Sequence, residues 1–385
     1  MIDNQGSVRG RLMRGGTSKG FFIMRSDLPD ANPAALEDLI LEIFGSPDAS
    51  QIDGIGGSFS STSKVMIVNQ SKRDGIDVDY TFGQVGITEP TVDWSGNCGN
   101  LTSAVGTFAI LEGIITTEEN HAEISLYNTN TDSHVEQSIP LNKHAPTPYG
   151  DYSIDGVPGT GARIDSKFND PAGSVFDSLT PTGNLSDNIM IDGTNYEVSI
   201  IDSTNPCVFV NSDELGLDGT ELPHDLTARH EVLGTLEKIR QSVCKELGLV
   251  DDSKEAYLKY PTTPFISFVS PPQTYTDSSG RRVDAAEIDI TARIITSKTF
   301  HHAYAMTGAM CLASAVKTRG TIPNALSRKT MDSVTIGHPK GTIDVGINMS
   351  VDGIESVTVG RTVRELFSGS VKYRYSENLR DYRDF

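Results

Sequence analysis

Two stretches of this chain have no polar side. Leu101 to Leu111 reads LTSAVGTFAIL and Ala303 to Val316 reads AYAMTGAMCLASAV, apolar or small residues around the whole helical circumference with almost no charge. A helix without a solvated face has to be enclosed by other structure. No run in the chain approaches the roughly 18 to 20 apolar residues of a membrane span, so the enclosing material is protein.

The flanking pattern says what encloses them. Alternating and β-branched residues predict strands at Gly20 to Met24, Lys64 to Asn69, Ile76 to Val85, Ala122 to Asn128, Glu197 to Ile201, Cys207 to Asn211, Phe265 to Val269 and Ile288 to Ile295. Amphipathic helices are predicted at Ala34 to Phe44, stopped by Gly45 and Pro47, and at Leu226 to Leu247. Each apolar helix follows strand or turn-rich sequence, so each would run through the middle of its own sheet, and the halves read as pseudo-repeats. The length of 385 residues is about twice that of a usual domain. Lys167 to Leu185 (KFNDPAGSVFDSLTPTGNL) is rich in Pro, Gly, Ser and Asp and is read as the linker. It gives an N-terminal lobe 1–184 and a C-terminal lobe 185–385, whose last segment can return to the first lobe, with one site in the cleft between them.

Charge restricts the partners. Lys and Arg number 32 against 51 Asp and Glu, a net charge of −19. Such a surface repels nucleic acid and anionic lipid, so an anionic ligand needs a local positive site. The start MIDNQGSVRGRLMRGG lacks the apolar core of a secretory signal, and a cytoplasmic protein is expected. Cys98, Cys207, Cys244 and Cys311 are far apart and form no CxxC pair, which suggests neither a disulfide framework nor a zinc site.

Three segments spend small and polar residues where a strand or helix would spend apolar ones: MRGGTSKG (Met13 to Gly20), QIDGIGGSFSSTSK (Gln51 to Lys64) and VDWSGNCGN (Val92 to Asn100). Glycine lets the backbone approach a ligand, and hydroxyls and amides donate to carboxylate oxygens. The candidates for an anion-binding wall are therefore Gly15, Gly16, Thr17 and Ser18, then Ser60, Ser61, Thr62 and Ser63, then Asn97, Gly99 and Asn100. Cys98 precedes an apolar helix, where the helix dipole favours a thiolate able to move a proton; the other reading is a small apolar plug in a tight turn. Lys64 enters an apolar strand. It either snorkels to water or is held inside, where burial lowers its pKa and frees a neutral amine. Arg14 and Lys19 flank the two glycines and can neutralise a carboxylate or pair with surface acids. His301 and His302 are adjacent, point in different directions and make a poor metal site; one capping the helix is the default, and His302 can instead hold substrate. Gly54-Ile55-Gly56-Gly57 lacks the rest of a dinucleotide fingerprint, and no Walker sequence, nucleophile elbow or HExxH is present, so no nucleotide, metal or organic cofactor is expected.

These blocks resemble the PrpF family, related to diaminopimelate epimerase. The resemblance runs through almost the whole chain: MRGGTSKG, GSPD at Gly45 to Asp48, QIDGIGG, SSTSKV, VDYTFGQV at Val78 to Val85, VDWSGNCGN and HHAYAMTGAMCLA at His301 to Ala313. It implies an α+β fold of two pseudo-repeated lobes, each a mixed sheet wrapped around a central buried helix. It also implies cofactor-independent isomerisation of small unsaturated acids such as 2-methylaconitate, aconitate, methylitaconate or oxalomesaconate. The family's catalytic lysine and cysteine fall on Lys64 and Cys98, and Ser18 with its glycines matches the substrate loop. The second repeat carries Ala305 where a two-thiol racemase has its second cysteine, and Cys311 lies further along, which disfavours an amino-acid epimerase. The expected partner is a small di- or tricarboxylate, with 2-methylaconitate or aconitate first, and a homodimer is compatible with it. The rival of another class is a carboxylate-binding protein without activity.

Overall fold

The computed structural model describes residues 5–30, 32–296, 299–328, 332–351 and 353–374. Two compact units emerge: Met1–Tyr152 with Thr160–Asp165 and Arg361–Phe385, and Ser153–Gly159 with Ser166–Gly360.

The first unit opens with a hairpin of β1 (Gln5–Gly15) and β2 (Ser18–Met24), in which Arg14 faces Lys19 and Gly15 faces Ser18. Helix α1 (Pro33–Phe44) follows. Asn32 caps it by accepting from the Ala35 amide at 3.0 Å, and Gly45 ends it in the left-handed region at φ 72°. The helical crossover lets β3 (Lys64–Gln70) lie parallel to β2. Next come β4 (Val78–Val85), antiparallel to β3, and the short β5 (Val92–Asp93) beside the end of β4. Helix α2 (Gly99–Leu111) leads to β6 (His121–Asn128), parallel to β4, and to β7 (Ser133–Asn142), antiparallel to β6. The strand Val363–Arg374 completes this sheet by pairing with β1.

Alternation along β2 divides its side chains between two helices. Phe21 and Ile23 pack with Leu39, Ile40, Ile43 and Phe44 of α1, whereas Phe22 meets Phe108 of α2 at 5.5 Å between ring centroids. Every residue of α2 from Gly99 to Ala109 is buried, and the helix lies against β1, β2, β3, β4, β6, β7 and Val363–Arg374. Small residues permit that contact. At Gly106 a Cβ would stand 2.6 Å from Gln137 Oε1, and Gln137 accepts the Gly106 amide at 2.9 Å while donating to the Thr102 carbonyl at 2.7 Å.

The second unit repeats this order. Its hairpin is β8 (Thr194–Ser203) and β9 (Asn205–Asn211), with Asp187–Ile191 added beside β8. Helix α3 (His230–Glu246) precedes β10 (Phe265–Ser270), parallel to β9, and β11 (Ile290–Thr296), antiparallel to β10. A short strand, Thr299–Phe300, precedes the buried helix α4 (Met306–Lys317). After it come β12 (Ser333–His338), parallel to β11, β13 (Gly341–Ser350), antiparallel to β12, and Gly353–Arg361. Hairpin, helix, parallel and antiparallel strands, short strand, buried helix and two more strands occur in the same order in both units, which establishes the internal repeat.

The chain passes from the first unit to the second within Tyr152–Ser166, and the segment 170–185 belongs to the second. Asp202 anchors it, accepting the Val175 and Phe176 amides at 2.7 Å each and the Ser174 hydroxyl. Pro, Gly and Ser mark irregular backbone, but composition does not show that a buried carboxylate ties it down. Helix α4 likewise begins at Met306, leaving Ala303 to Ala305 outside it. No described helix is long and apolar enough to cross a membrane.

Phe108→Ala removes the ring that joins α2 to β2, and a loss of about 3–5 kcal/mol in unfolding free energy is expected. Urea unfolding measures it, and a loss below about 1 kcal/mol would show that α2 is not an essential core element.

Candidate active site

Strand geometry decides which candidates share a face. Phe21 of β2 and Val65 of β3 are parallel neighbours packed toward α1, so Ser18, Gly20 and Lys64, of opposite parity, face α2. At Gly20 a Cβ would stand 2.5 Å from Leu101 of α2 and 2.8 Å from the Lys64 carbonyl. Lys64 is therefore drawn into the interior with α2 instead of snorkelling.

Lys64 is 9% exposed, and its Nζ donates to Gln84 Oε1 at 2.5 Å, with the Phe82 ring centroid 5.0 Å away. No described carboxylate comes within ion-pair distance of Nζ. Burial holds the Lys64 ammonium below the ordinary lysine range, while Cys98 and Asp93 pull in the opposite direction. Gln84 escaped the sequence reading, although a glutamine ending the run Val-Asp-Tyr-Thr-Phe-Gly, where an apolar residue would continue β4, was the available signal.

Cys98 is the N-cap residue of α2 and is buried, its Sγ pointing to Ser18 Oγ at 3.9 Å. Gly99 and Asn100 form the first turn of that helix. The turn joining β1 to β2 is pressed onto it: a Cβ at Gly15 would stand 2.2 Å from the Asn100 carbonyl oxygen. One at Gly16, where φ is +50°, would stand 2.1 Å from Asn100 Oδ1. These glycines make room for Asn100, a closer neighbour than the ligand expected from the sequence. Asn100 Nδ2 donates to Thr17 Oγ1 at 3.1 Å, and Arg361 Nε donates to Asn100 Oδ1 at 3.1 Å. Arg361 is a buried cation at the start of α2 that no local pattern could have revealed, because it lies near the other end of the chain.

Other candidates are committed to scaffolding. Asn97 donates to the Tyr80 hydroxyl at 3.2 Å and accepts from Thr102 at 3.1 Å, in a buried network where burial pushes the Tyr80 phenol up to about 12. Ser63 donates to Gln51 Oε1 at 2.5 Å, and Thr62 to the Phe59 carbonyl at 3.1 Å. The half-buried hydroxyls of Ser60 and Ser61 carry no hydrogen bond among the described residues. Arg14 points to the opposite face of β1 from Gly15. There it donates to the Gly16 and Thr362 carbonyls at 3.0 and 2.7 Å, with Lys19 and Arg364 as its directly opposed neighbours. Burial first, then the charge of Arg364, pushes its guanidinium below the usual range.

In the second unit, His302 is exposed in the bend before α4, and His301 Nδ1 accepts the Ala303 amide at 3.1 Å. Ala305 occupies the N-cap of α4, the place Cys98 holds on α2. Cys311 is inside α4, where burial pushes its thiol far up. All four cysteines are free. No three His, Cys, Asp or Glu among the described residues converge as a metal would require.

The sequence pattern of the family described as PrpF protein matches residues 6–374. The 3-methylitaconate isomerase of Eubacterium barkeri is 39% identical over 364 residues, covering 94% of this chain and 95% of that one. The 2-methyl-aconitate isomerase of Shewanella oneidensis is 37% identical over 387 residues, covering 95% and 96%. The crystal structure of methylitaconate-delta-isomerase matches with a TM-score of 0.79 at 38% identity, over 97% of both chains.

Gly15→Ala forces either the turn or the start of α2 to move, and a loss of about 1–3 kcal/mol is expected in urea unfolding. Gly234→Ala, inside α3 with nothing within 4 Å of its Cβ, is the control and is expected to gain up to about 1 kcal/mol. Equal effects at the two positions would show that the turn is not pressed onto the helix.

Proposed function

The chain belongs to the PrpF family, and from that premise we propose that it isomerises a small unsaturated di- or tricarboxylic acid by allylic proton transfer, with Lys64 and Cys98 as its acid and base groups. One observation carries the reading: a buried lysine with no described carboxylate at ion-pair distance, its pKa lowered by burial, close enough to feel the charge of a cysteine at the start of a buried helix. A solvated strand-end lysine would not produce that arrangement.

A double bond conjugated to a carboxylate makes the allylic proton acidic. The neutral Lys64 amine takes it, and the electron pair spreads through the diene into the carboxylate. Free amides at the start of α2 and the hydroxyls of Ser60 and Ser61 supply donors for that charge. Cys98, beside Ser18, is the second acid and base group or holds a carboxylate in place. Rotation about the former double bond, followed by return of the proton to the same carbon, gives the cis-trans isomer expected for 2-methylaconitate or aconitate. Return to the other end of the allylic system shifts the double bond, as methylitaconate would require. The likeness to 3-methylitaconate isomerase at 39% identity favours including this second outcome.

Lys64→Ala and Cys98→Ser are each expected to lower kcat by at least about a hundredfold with unchanged circular dichroism, the scale of a positioned acid or base. Near-normal turnover by either variant removes that residue from the mechanism.

Proton spectra recorded in deuterium oxide with 2-methylaconitate, cis- and trans-aconitate, methylitaconate and oxalomesaconate are expected to show one preferred acid changing. Deuterium entering the allylic position is the expected label. Failure of the folded protein to isomerise any of the five would end the assignment and leave a carboxylate-binding protein.

A further inference from the structure

Lys64, Gln84 and Asp93 stand directly opposite one another on β3, β4 and β5. A carboxylate at position 84 would form an ion pair with Lys64 and hold it as the ammonium ion. This chain has an amide there instead.

The amide has one workable orientation. Its Nε2 donates to the Ser63 carbonyl at 2.9 Å and to the Ser60 carbonyl at 3.2 Å; turned over, its oxygen would face two other carbonyl oxygens. Oε1 is therefore held toward Lys64 Nζ. An amide oxygen accepts an N–H from an amine as readily as from an ammonium group, so it fixes the nitrogen without fixing its charge. With one N–H committed, the nitrogen lone pair of the neutral amine can point only into the remaining directions.

We infer that Gln84 is a positioning residue for proton transfer, aiming the Lys64 nitrogen without holding it in either charge state, a role that rests on Lys64 being the acid and base group proposed above. The described groups facing Lys64 are Gln84 and the Phe82 ring from β4, Asp93 from β5 and Cys98 from the start of α2. Only Asp93 and Cys98 can carry charge. Asp93 is partly occupied by the Ser95 amide and hydroxyl, at 2.9 and 2.6 Å. Gln84 is thus the neutral contact that keeps the lysine from a direct ion pair.

The test follows the titration of Lys64 itself, through the ¹³Cε resonance that disappears in Lys64→Arg, in the wild type, Gln84→Glu and Gln84→Met. Gln84→Glu is expected to raise the Lys64 pKa by at least about one unit, the size of an adjacent opposite charge. Gln84→Met removes the acceptor that also serves the ammonium form and is expected to lower it. The limb of the kcat/KM profile that Lys64 governs is expected to move the same way in each, upward for Glu and downward for Met. Gln84→Met is also expected to lose about tenfold or more in kcat with KM changed less than about threefold. Either variant alone suffices if the other does not fold.

A Lys64 titration that coincides in all the folded proteins, or unchanged kcat in Gln84→Met, would overturn the inference. If the wild type isomerises none of the acids while the titration still moves as expected, the functional reading fails and the control of Lys64 by Gln84 stands.

Discussion

The contact between the β1–β2 turn and the first residues of α2 is the constraint on which the candidate site depends. Two glycines admit the Asn100 carbonyl and side chain to distances that no Cβ would tolerate. That contact sets Ser18 against Cys98, and the strand pairing of β2 with β3 then brings Lys64 to the same face. A helix without a polar face supplies the other half of the constraint. Helix α2 is buried from Gly99 to Ala109, its first turn included.

The electrostatics follow from this arrangement. An interior lysine met by an amide and an aromatic ring loses hydration without gaining an ion pair, so its proton becomes easier to remove. Arg14, Lys19 and Arg364 show the opposite use of charge. They lie in a directly opposed row on the other face of the same strands, an arrangement that is locally unfavourable between like charges. In this strongly acidic chain, three cations thus meet beside one turn of the first unit.

The sequence conveyed the architecture well because its signals were local and periodic. Two apolar helices without a polar face gave the buried helices, alternation gave the strands, and the GNCGN turn placed Cys98 at a helix start. Lys64 was recognisable as a lysine entering an apolar strand, but its partner depended on strand register, which one strand does not encode. For the same reason Gln84 was missed. Strand parity sent Arg14 to the opposite face, and Asn97 and Ser63 were consumed by Tyr80, Thr102 and Gln51, partners made only by tertiary packing. Arg361 had no local signal at all. Pro, Gly and Ser mark irregular backbone between 167 and 185, but its anchor Asp202 lies well outside that stretch and left no local signal.

The alanine at the cap of α4 has a further consequence. The two units are copies in their order of elements, yet among the described residues only the first pairs a buried lysine with a cysteine at its helix start. A side chain at the second cap can therefore change without touching the lysine and cysteine of the first unit.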